Sequence, residues 1–570
     1  MIDNTEILNK NLAALAEADK ALYSNKDNTS NFYSFEKSRS EETVPLIEGR
    51  SLHSLIDPKR EALRLVSTIK PETGFLVFLG LGGGFFPEAA LEETDAHVVV
   101  IDYNQEGIVE LFSSIDYTHL LKNERFTFLN CPSTEKIKSF ILENYKPALF
   151  GGIQAIPLRP RVESGKSLFD AAAASLQEAI EIVSGDYTVQ SHFGKRWFNN
   201  IIRNIKQLTI NSDQRPINIE KSTVINERVL KNQMPVNEAA IIAAGPSLDT
   251  QLQEIKELKA RNVFIISTDT ALPALAHNGI MPDAVVSIDC QHISYYHFLY
   301  CSLSGKIRGG NHIDIPLFID IASPPLLSRL NGFTPIFFSS SHPLARYFSR
   351  DLLPFLDTSG ANVTYACLSA AEYLNAKRVY LFGADFSYIN SRSYARGTYI
   401  YPHFYKRQNR LSPIEAQFSR FLYRSPFLTK SEDQYYETAP LRFYREKFEK
   451  KASLMEAEIV CAKGLGAPIS INRKQEAGSR KQLAENDILS VKEYCVEFLK
   501  KYRKDIEALP EAEGKSNYFN KLNVKEKQVF TTMLPYAAAV RKREPGLTLK
   551  ELIQEVKRRC AAEIERVAGE

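Results

Sequence analysis

The sequence lacks the features by which secreted, membrane-spanning and polybasic proteins are recognised. Its seven cysteines are scattered over 570 residues without a CxxC pair, which argues against a disulfide framework and a thiolate zinc site. No run of about 18 apolar residues occurs, so no membrane span is predicted. The 71 Lys and Arg nearly balance the 68 Asp and Glu, which excludes a generally polybasic nucleic-acid binder. Because the start carries no apolar leader, we expect a cytoplasmic protein.

The residues that are present indicate a folded protein of several domains. Hydrophobic residues make up 44% of the sequence, as in globular proteins, and the length indicates about three domains. Short apolar runs such as FLVFLGLGGGFF and VFIISTD alternate with helical segments, which is typical of strands buried on both faces of a parallel sheet. We therefore predict the α/β fold class, with two Rossmann-like parallel-sheet domains plus an all-helical C-terminal region.

Changes in pattern along the chain suggest the domain boundaries. Residues 1–160 are predicted to form an N-terminal Rossmann-like domain that starts with a helix, and residues 161–215 a helical connector. Residues 216–420 form a central α/β domain in this prediction. Residues 421–570 are predicted to form a helical C-terminal domain, because the strand patterns stop there and charged, helix-forming sequence follows.

The strongest motif lies in the central domain, where Gly245, Pro246 and Ser247 directly follow the apolar run 239–244 and precede an amphipathic helix. Glycine permits close approach of the backbone, and the free N–H groups at the start of a helix can hold a phosphate. The alternative is an ordinary strand–helix turn that Ser247 caps.

Polar residues also follow the other predicted strands of this domain. Open parallel sheets bind ligands outside the carboxyl ends of their strands. The residues expected to share that crevice are Asp269, Asp289, Ser339, Ser340, His342, Gly383 and Asp385. Asp269, Asp283 and Asp289 offer carboxylates for Mg²⁺, but aspartates at strand ends commonly accept from local amides. Cys290, His292 and His297 have no partner cluster, so no metal site is predicted.

A second glycine-rich turn lies in the N-terminal domain. Gly80, Gly82 and Gly84 follow an apolar run, and Asp102 ends the next one, at about the distance of the acid that holds the ribose in nucleotide-binding units. Gly-rich turns are weak signals, so both a second nucleotide site and a purely structural Rossmann-like domain stay open.

Residues 239–289 and 359–388, with GPSLD and GADFSY as their motifs, resemble the central domain of the Maf family, the motility-associated factors that glycosylate flagellin. HSLIDPKREALRL (53–65) and GKRWFNNIIRNI (194–205) fit the same family. The central domain is also similar to bacterial sialyltransferases with a Gly-x-Gly-Pro-Ser turn, although Ala243 replaces the first glycine here.

The resemblance implies an inverting glycosyltransferase with residues 216–420 as its catalytic domain. It would transfer a nonulosonic acid, of the sialic, pseudaminic or legionaminic type, from a CMP-sugar to Ser or Thr of flagellin, and it requires no cofactor. By similarity to the sialyltransferase segments, Tyr388 and Tyr394 would stabilise the leaving phosphate and His403 would be the base. His342, at a strand end, is the alternative base or would instead contact the donor. The nearby Lys406, Arg407 and Arg410 most simply form a solvated charged surface; the alternative is that they attract the carboxylate of the sugar or an acidic face of the acceptor.

Two other functions remain open from the sequence. The central domain also resembles archaeal 6-hydroxymethylpterin diphosphokinases, which transfer pyrophosphate from ATP with Mg²⁺. Alternatively, the two α/β domains and the helical tail form a non-catalytic flagellin-binding module, since amphipathic helices often serve as partner surfaces.

Overall fold

The protein divides into two compact units, which are described separately. Unit 1 comprises residues 1–195 and 508–558, and unit 2 comprises residues 196–507 and 559–570. The computed structural model describes residues 4–15, 32–104, 107–214, 236–302, 315–349, 352–425, 427–431, 435–472, 491–512 and 518–569.

The strands of unit 1 are β1 (Ser34–Lys37), β2 (Thr43–Ile47), β3 (Arg50–Ser51), β4 (Phe75–Leu79), β5 (His97–Asp102), β6 (Phe126–Asn130) and β7 (Ile153–Pro157). Those of unit 2 are β8 (Glu238–Ile242), β9 (Phe264–Thr268), β10 (Ala284–Ser287), β11 (Ile315–Asp320), β12 (Phe333–Phe338), β13 (Arg378–Phe382), β14 (Tyr388–Ile389), β15 (Leu428–Lys430), β16 (Tyr435–Thr438) and β17 (Glu458–Cys461).

The helices, in chain order, are α1 (Asn4–Ala14), α2 (Pro58–Val66), α3 (Phe85–Glu93), α4 (Ile108–Ser114), α5 (Thr118–Leu121), α6 (Thr134–Asn144), α7 (Pro147–Phe150), α8 (Arg159–Ser164), α9 (Lys166–Gln214), α10 (Leu248–Ala260), α11 (Leu272–His277), α12 (Ser294–Ser302), α13 (Pro343–Ser349), α14 (Val363–Tyr373), α15 (Ile400–Tyr405), α16 (Ile414–Leu422), α17 (Ala439–Leu454), α18 (Val491–Glu507), α19 (Tyr518–Lys521), α20 (Val524–Arg543) and α21 (Leu549–Gly569). A 3₁₀ helix spans Pro325–Arg329.

Unit 1 is built on a parallel sheet with the strand order β6-β5-β4-β7. Its central strands are buried on both faces: Leu76 and Phe78 belong to one apolar cluster, and Phe75 and Val77 belong to another. Alternate residues of a strand point to opposite faces, so a continuous apolar run such as FLVFL fills both layers.

Unit 2 contains a second parallel sheet with the order β12-β11-β10-β9-β8-β13-β17. The same two-layer burial holds here, with Ile241 in one cluster and Ile242 in the other. A small antiparallel sheet, β14-β16-β15, follows β13 in the chain. The predicted fold class, two Rossmann-like sheets with a helical C-terminal region, is confirmed.

The structure differs from the predicted boundaries in three places. The predicted C-terminal domain is not one unit, because residues 508–558 belong to unit 1 and residues 421–507 and 559–570 to unit 2. The connector expected at 161–215 is the long helix α9, whose residues up to 195 belong to unit 1 and whose later residues belong to unit 2. The helical region predicted from 421 begins at α18 instead, because β15, β16 and β17 lie before it. β17 is only EIVC, so its strand character comes from pairing with β13 rather than from a recognisable pattern. Within the described ranges, no helix has the length and apolar composition needed to cross a bilayer.

Candidate functional site

The candidate site of unit 2 lies where the strand order of the sheet reverses. β8 pairs with β9 on one side and with β13 on the other, and both pairs are parallel. Ligands of open parallel sheets bind in the crevice that forms at such a reversal, outside the carboxyl ends of the strands. The turn after β8 and the loop after β13, both singled out from the sequence, lie here.

The turn at 245–247 and the loop at 383–385 are hydrogen-bonded to each other. The Gly245 N–H donates to the Gly383 carbonyl at 2.8 Å, and the buried Ser247 N–H donates to Asp385 Oδ2 at 2.8 Å. The N–H groups of residues 248–250 donate to carbonyls three residues earlier. A phosphate on this turn would therefore have to displace Asp385, a contact that the sequence did not predict.

Ser247 does not cap the helix with its side chain. Its Oγ instead accepts from the Leu465 N–H at 3.0 Å, and the Ala467 N–H donates to the Asp385 carbonyl at 2.9 Å. The glycine-rich segment 462–468, AKGLGAP, thus packs against both predicted motifs. Sequence reasoning missed this segment, although its two glycines directly after a short apolar run were a usable signal.

Gln251, in the helix α10 that follows β8, forms hydrogen bonds to the segments that follow β13 and β17. Its Oε1 accepts from the Gly383 N–H at 2.8 Å, and its Nε2 donates to the Lys463 carbonyl at 2.9 Å. A cleft of about 80 Å³ lies beside this amide. Because ligand pockets usually measure about 300–1,000 Å³, this cleft by itself is too small for a nucleotide.

The carboxylates of Asp269 and Asp289 follow β9 and β10 in that crevice. Asp269 Oδ2 accepts from the Ser287 hydroxyl at 2.7 Å, and Asp289 Oδ1 accepts from the Gln291 N–H at 2.9 Å. Burial raises the pKa of the Asp289 carboxyl. Asp283 precedes β10 and accepts from Lys259 at 2.5 Å, so it lies at the opposite end of the strand from the other two acids.

Two tyrosines of the segment after β14 share this environment. Burial raises the pKa of the Tyr394 hydroxyl, and neighbouring groups including Tyr399, Asp269 and Asp289 raise it further. Burial also raises the pKa of Tyr399, with the same two carboxylates adding to the effect. Both hydroxyls stay protonated at neutral pH, so they can donate hydrogen bonds. The predicted Tyr388 lies in β14, opposite Tyr436, and burial raises its pKa as well.

His297 is a buried histidine of this crevice that sequence reasoning considered only as a zinc ligand. Its ring packs edge-on against Tyr399, with the centroids 4.6 Å apart, and its charge would lower the pKa of Asp289. A histidine beside a carboxylate is an arrangement suited to proton transfer.

Further polar side chains lie at the carboxyl ends of β11 and β12. Burial raises the pKa of Asp320 to about 6, and Ser339 and Ser340 are buried beside it along the next strand. Burial lowers the pKa of His342 to about 3, so this imidazole is neutral. Its Nδ1 accepts from the Leu344 N–H at 3.2 Å, which leaves the proton on Nε2. Among the described residues Nε2 has no partner and can donate to a ligand.

Helix α9 closes this side of the crevice with two asparagines one turn apart. Asn200 Nδ2 donates to the carbonyls of Cys290 and Ala322 at 3.1 and 2.8 Å. Asn204 Nδ2 donates to the carbonyls of Ile321 and Ser323, both at 2.8 Å. The segment predicted as a connector therefore holds the loops that follow β10 and β11 in unit 2.

His403, the predicted base, lies on the exposed side of the short helix α15. Its ring lies near the Phe404 ring, with 6.0 Å between the centroids. No hydrogen bond or ion pair joins it to the carboxylates of the crevice among the described residues, and its role stays a prediction.

The glycine turn of unit 1 is occupied by side chains of the same unit. The Leu81 N–H donates to Asp102 Oδ2 at 2.6 Å, and the Gly83 N–H donates to His53 Nε2 at 3.0 Å. Burial lowers the pKa of His53 to about 3, which keeps this nitrogen an acceptor. A Cβ on Gly82 would lie 2.4 Å from it, and the outer glycines Gly80 and Gly84 both have positive φ.

Asp102 is neutralised by a buried arginine. Arg161 Nη2 lies 2.9 Å from Asp102 Oδ1, with side-chain exposures of 2% and 0%. The guanidinium also lies over the Phe169 ring, 5.2 Å from its centroid. The carboxylate that would hold a ribose is therefore already paired, and this geometry favours the structural interpretation of the first glycine turn over a nucleotide site.

Asp102→Asn should destabilise the sheet of unit 1. The change leaves the Arg161 charge buried without its counter-ion, which costs about 3–5 kcal/mol. Hydrogen exchange of the β4 and β5 amides measures the loss. The matched control is Glu163→Gln, which removes an exposed pair with Arg50 and should cost at most about 1 kcal/mol. Equal exchange in the two variants would contradict this role.

Gly466→Ala should destabilise unit 2. A Cβ there lies 2.6 Å from backbone atoms of Asp385, and such overpacking costs about 1–3 kcal/mol. Gly546→Ala is the control, since a Cβ at Gly546 meets nothing within 4 Å. Thermal unfolding of the two variants should show a lower midpoint for Gly466→Ala alone. An unchanged midpoint would mean that the 462–468 segment is not held against Asp385.

Comparisons with known proteins agree with this architecture. The family described as 6-hydroxymethylpterin diphosphokinase MptE-like matches residues 214–391. The solved structure of the MAf glycosyltransferase from Magnetospirillum magneticum AMB-1 superposes with a TM-score of 0.57 over 99% of this chain and 96% of that chain, at 13% identity. The predicted resemblance to the Maf family, with its MptE-like region, is confirmed, and at this identity the superposition establishes the fold.

Three proteins of Treponema pallidum (strain Nichols), each described as uncharacterized, are similar in sequence. The first is 32% identical over 204 residues, which is 35% of this chain and 87% of that protein. The second is 40% identical over 116 residues, covering 41% of its length, and the third is 21% identical over 256 residues, covering 50%. The chain therefore belongs to the family of the first Treponema pallidum protein, and it has the fold of a Maf glycosyltransferase with an MptE-like region in its centre.

Proposed function

We propose that this protein is an inverting glycosyltransferase that transfers a nonulosonic acid from a CMP-sugar to Ser or Thr hydroxyls of flagellin, in the cytoplasm. The observation that supports it most is the set of protonated tyrosines beside strand-end carboxylates at the sheet reversal. The whole-chain likeness to the MAf glycosyltransferase fold supports a sugar-transfer chemistry for this crevice.

The leaving CMP phosphate gains charge as the glycosidic bond breaks, and hydrogen-bond donors aimed at it lower the barrier. The hydroxyls of Tyr388 and Tyr394 would supply these donors. The neutral His342 would add its Nε2–H, and Ser339 and Ser340 would contact the donor sugar. Because hydroxyl and imidazole donors carry this task, we propose that transfer requires no metal ion.

The acceptor hydroxyl must lose its proton as its oxygen attacks the anomeric carbon from the face opposite the phosphate. We keep His403 as the proposed base, since its exposed position is accessible to a protein acceptor. The competing candidate is His297, which is buried beside Asp289 and Tyr399.

His403→Gln should lower flagellin-dependent CMP release by about 10²–10⁴-fold, the usual contribution of a general base. Binding of CMP should stay unchanged, because the group contacts the acceptor and not the nucleotide. CMP release and the intact mass of flagellin measure the two outcomes. His297→Gln is the parallel variant: loss of transfer there, with full transfer by His403→Gln, would assign the base to His297.

The MptE-like match over 214–391 favours a second candidate, an ATP-dependent pyrophosphokinase that uses Mg²⁺. Thermal unfolding separates the two, since a ligand at 100 times its Kd stabilises the folded state by about 2.7 kcal/mol. We expect stabilisation by CMP that persists in EDTA. Stabilisation by ATP with Mg²⁺ alone would favour the kinase, and flagellin binding without transfer from any CMP-sugar would favour a non-catalytic binding protein.

A further inference from the structure

One surface of unit 2 has a charge unlike the rest of the protein. We call residues 400–430, which carry α15, α16 and β15, the basic arm. The arm contains six basic residues and one acid, Glu415. Its net charge of +5 exceeds that of the whole chain, which is +3, so the remainder is slightly acidic. The six basic residues are Lys406, Arg407, Arg410, Arg420, Arg424 and Lys430.

These six side chains are exposed and none of them forms an ion pair with another described residue. Two arginines outside the arm, by contrast, form ion pairs within the unit. Arg392 pairs with Asp249 at 2.6 Å, and Arg445 pairs with Glu437 at 2.9 Å. The charges of the basic arm are therefore available to a partner, whereas those beside it are satisfied within the unit.

Large apolar side chains are exposed between these cations. Tyr405 is 53% exposed, Leu411 89%, Tyr423 62% and Phe427 80%. Aromatic residues and arginine are enriched at the energetic centres of protein interfaces. Together with the unpaired cations, they form a surface suited to an acidic polypeptide that also offers apolar contacts.

The basic arm is anchored beside the candidate site. Ile400, Tyr401, Phe404 and Phe418 form its own apolar core, and the crevice residues Tyr394 and Tyr399 pack against that core. The same tyrosine side chains thus border both the crevice and the arm. A polypeptide held by the arm would lie next to the reacting groups.

We propose that the basic arm is the docking surface for an acidic segment of the acceptor polypeptide. This inference rests on the proposed function for its acceptor class, but the arm's binding property is testable without it. We favour a protein partner over a nucleic acid because the arm lies beside the proposed acceptor site and the whole chain carries a net charge of only +3. The exposed rings of Tyr405, Tyr423 and Phe427 could also stack bases, so the test includes a single-stranded nucleic acid. Attraction between opposite charges would also speed the encounter with the acceptor.

The test measures fluorescence anisotropy of labelled poly-L-glutamate with the full chain and with the double variant Arg407→Glu/Arg410→Glu. We expect the variant to bind about tenfold or more weakly, because two attractive contacts become repulsive. Binding by the wild type should weaken between about 0.1 M and 1 M salt, as the Debye length falls from about 10 to 3 Å.

The matched control is Lys500→Glu/Lys501→Glu, which makes the same charge change at exposed positions of α18 in the same unit. It should bind as the wild type does. Equal binding by the arm variant would overturn the proposal. Tighter binding of single-stranded poly-uridylate, lost in the same variant, would overturn it in favour of a nucleic-acid surface.

A second readout separates this proposal from the proposed function. The arm variant should keep the wild-type rate of CMP release from the donor in the absence of flagellin, while its KM for flagellin rises. If the wild type turns over no CMP-sugar, the proposed function fails. The polyglutamate measurement then still shows whether the basic arm binds an acidic polypeptide.

Discussion

The hydrogen bond from the Ser247 N–H to the Asp385 carboxylate, 2.8 Å long and buried, holds the candidate site together. Bonds to a charged acceptor contribute about 1.5–3 kcal/mol, and this one joins the turn after β8 to the loop after β13. The 462–468 segment, which follows β17, is bonded to both motifs, since its N–H groups donate to Ser247 Oγ and to the Asp385 carbonyl. Three neighbouring strand ends are thereby fixed at the point where the crevice opens.

Both Rossmann-like sheets use a carboxylate in the same way. In unit 1 the Leu81 N–H donates to Asp102, from the neighbouring strand, and in unit 2 the Ser247 N–H donates to Asp385. The two sites differ in the positive group that balances the charge of the carboxylate. Asp102 is paired with the buried Arg161. Burial raises the pKa of Asp385, and the nearby Arg392, which itself pairs with Asp249, offsets that rise only in part. Unit 1 is thus closed by its own side chains, and unit 2 keeps donors such as the His342 Nε2–H available.

Much of the fold was predictable because burial on both faces leaves continuous apolar runs in the sequence. The proximity of Gly245 and Asp385 was predictable too, since carboxyl ends of parallel strands meet at one edge. The hydrogen bond between the two motifs was not, because spacing along the chain carries no information about which N–H a distant carboxylate reaches. Asn200 was also missed, since its carbonyl partners lie about a hundred residues away.

The sequence alone determined the α/β class, the order of the strand-end polar groups and the family resemblance, because these depend on local pattern and residue type. The tertiary structure decided which groups are free. It paired Asp102 with Arg161, set β17 beside β13, and left the cations of the basic arm without counter-ions among the residues that the structure describes. The physical reason is that charge neutralisation and desolvation depend on residues far apart in the chain, and only folding brings them within hydrogen-bonding distance.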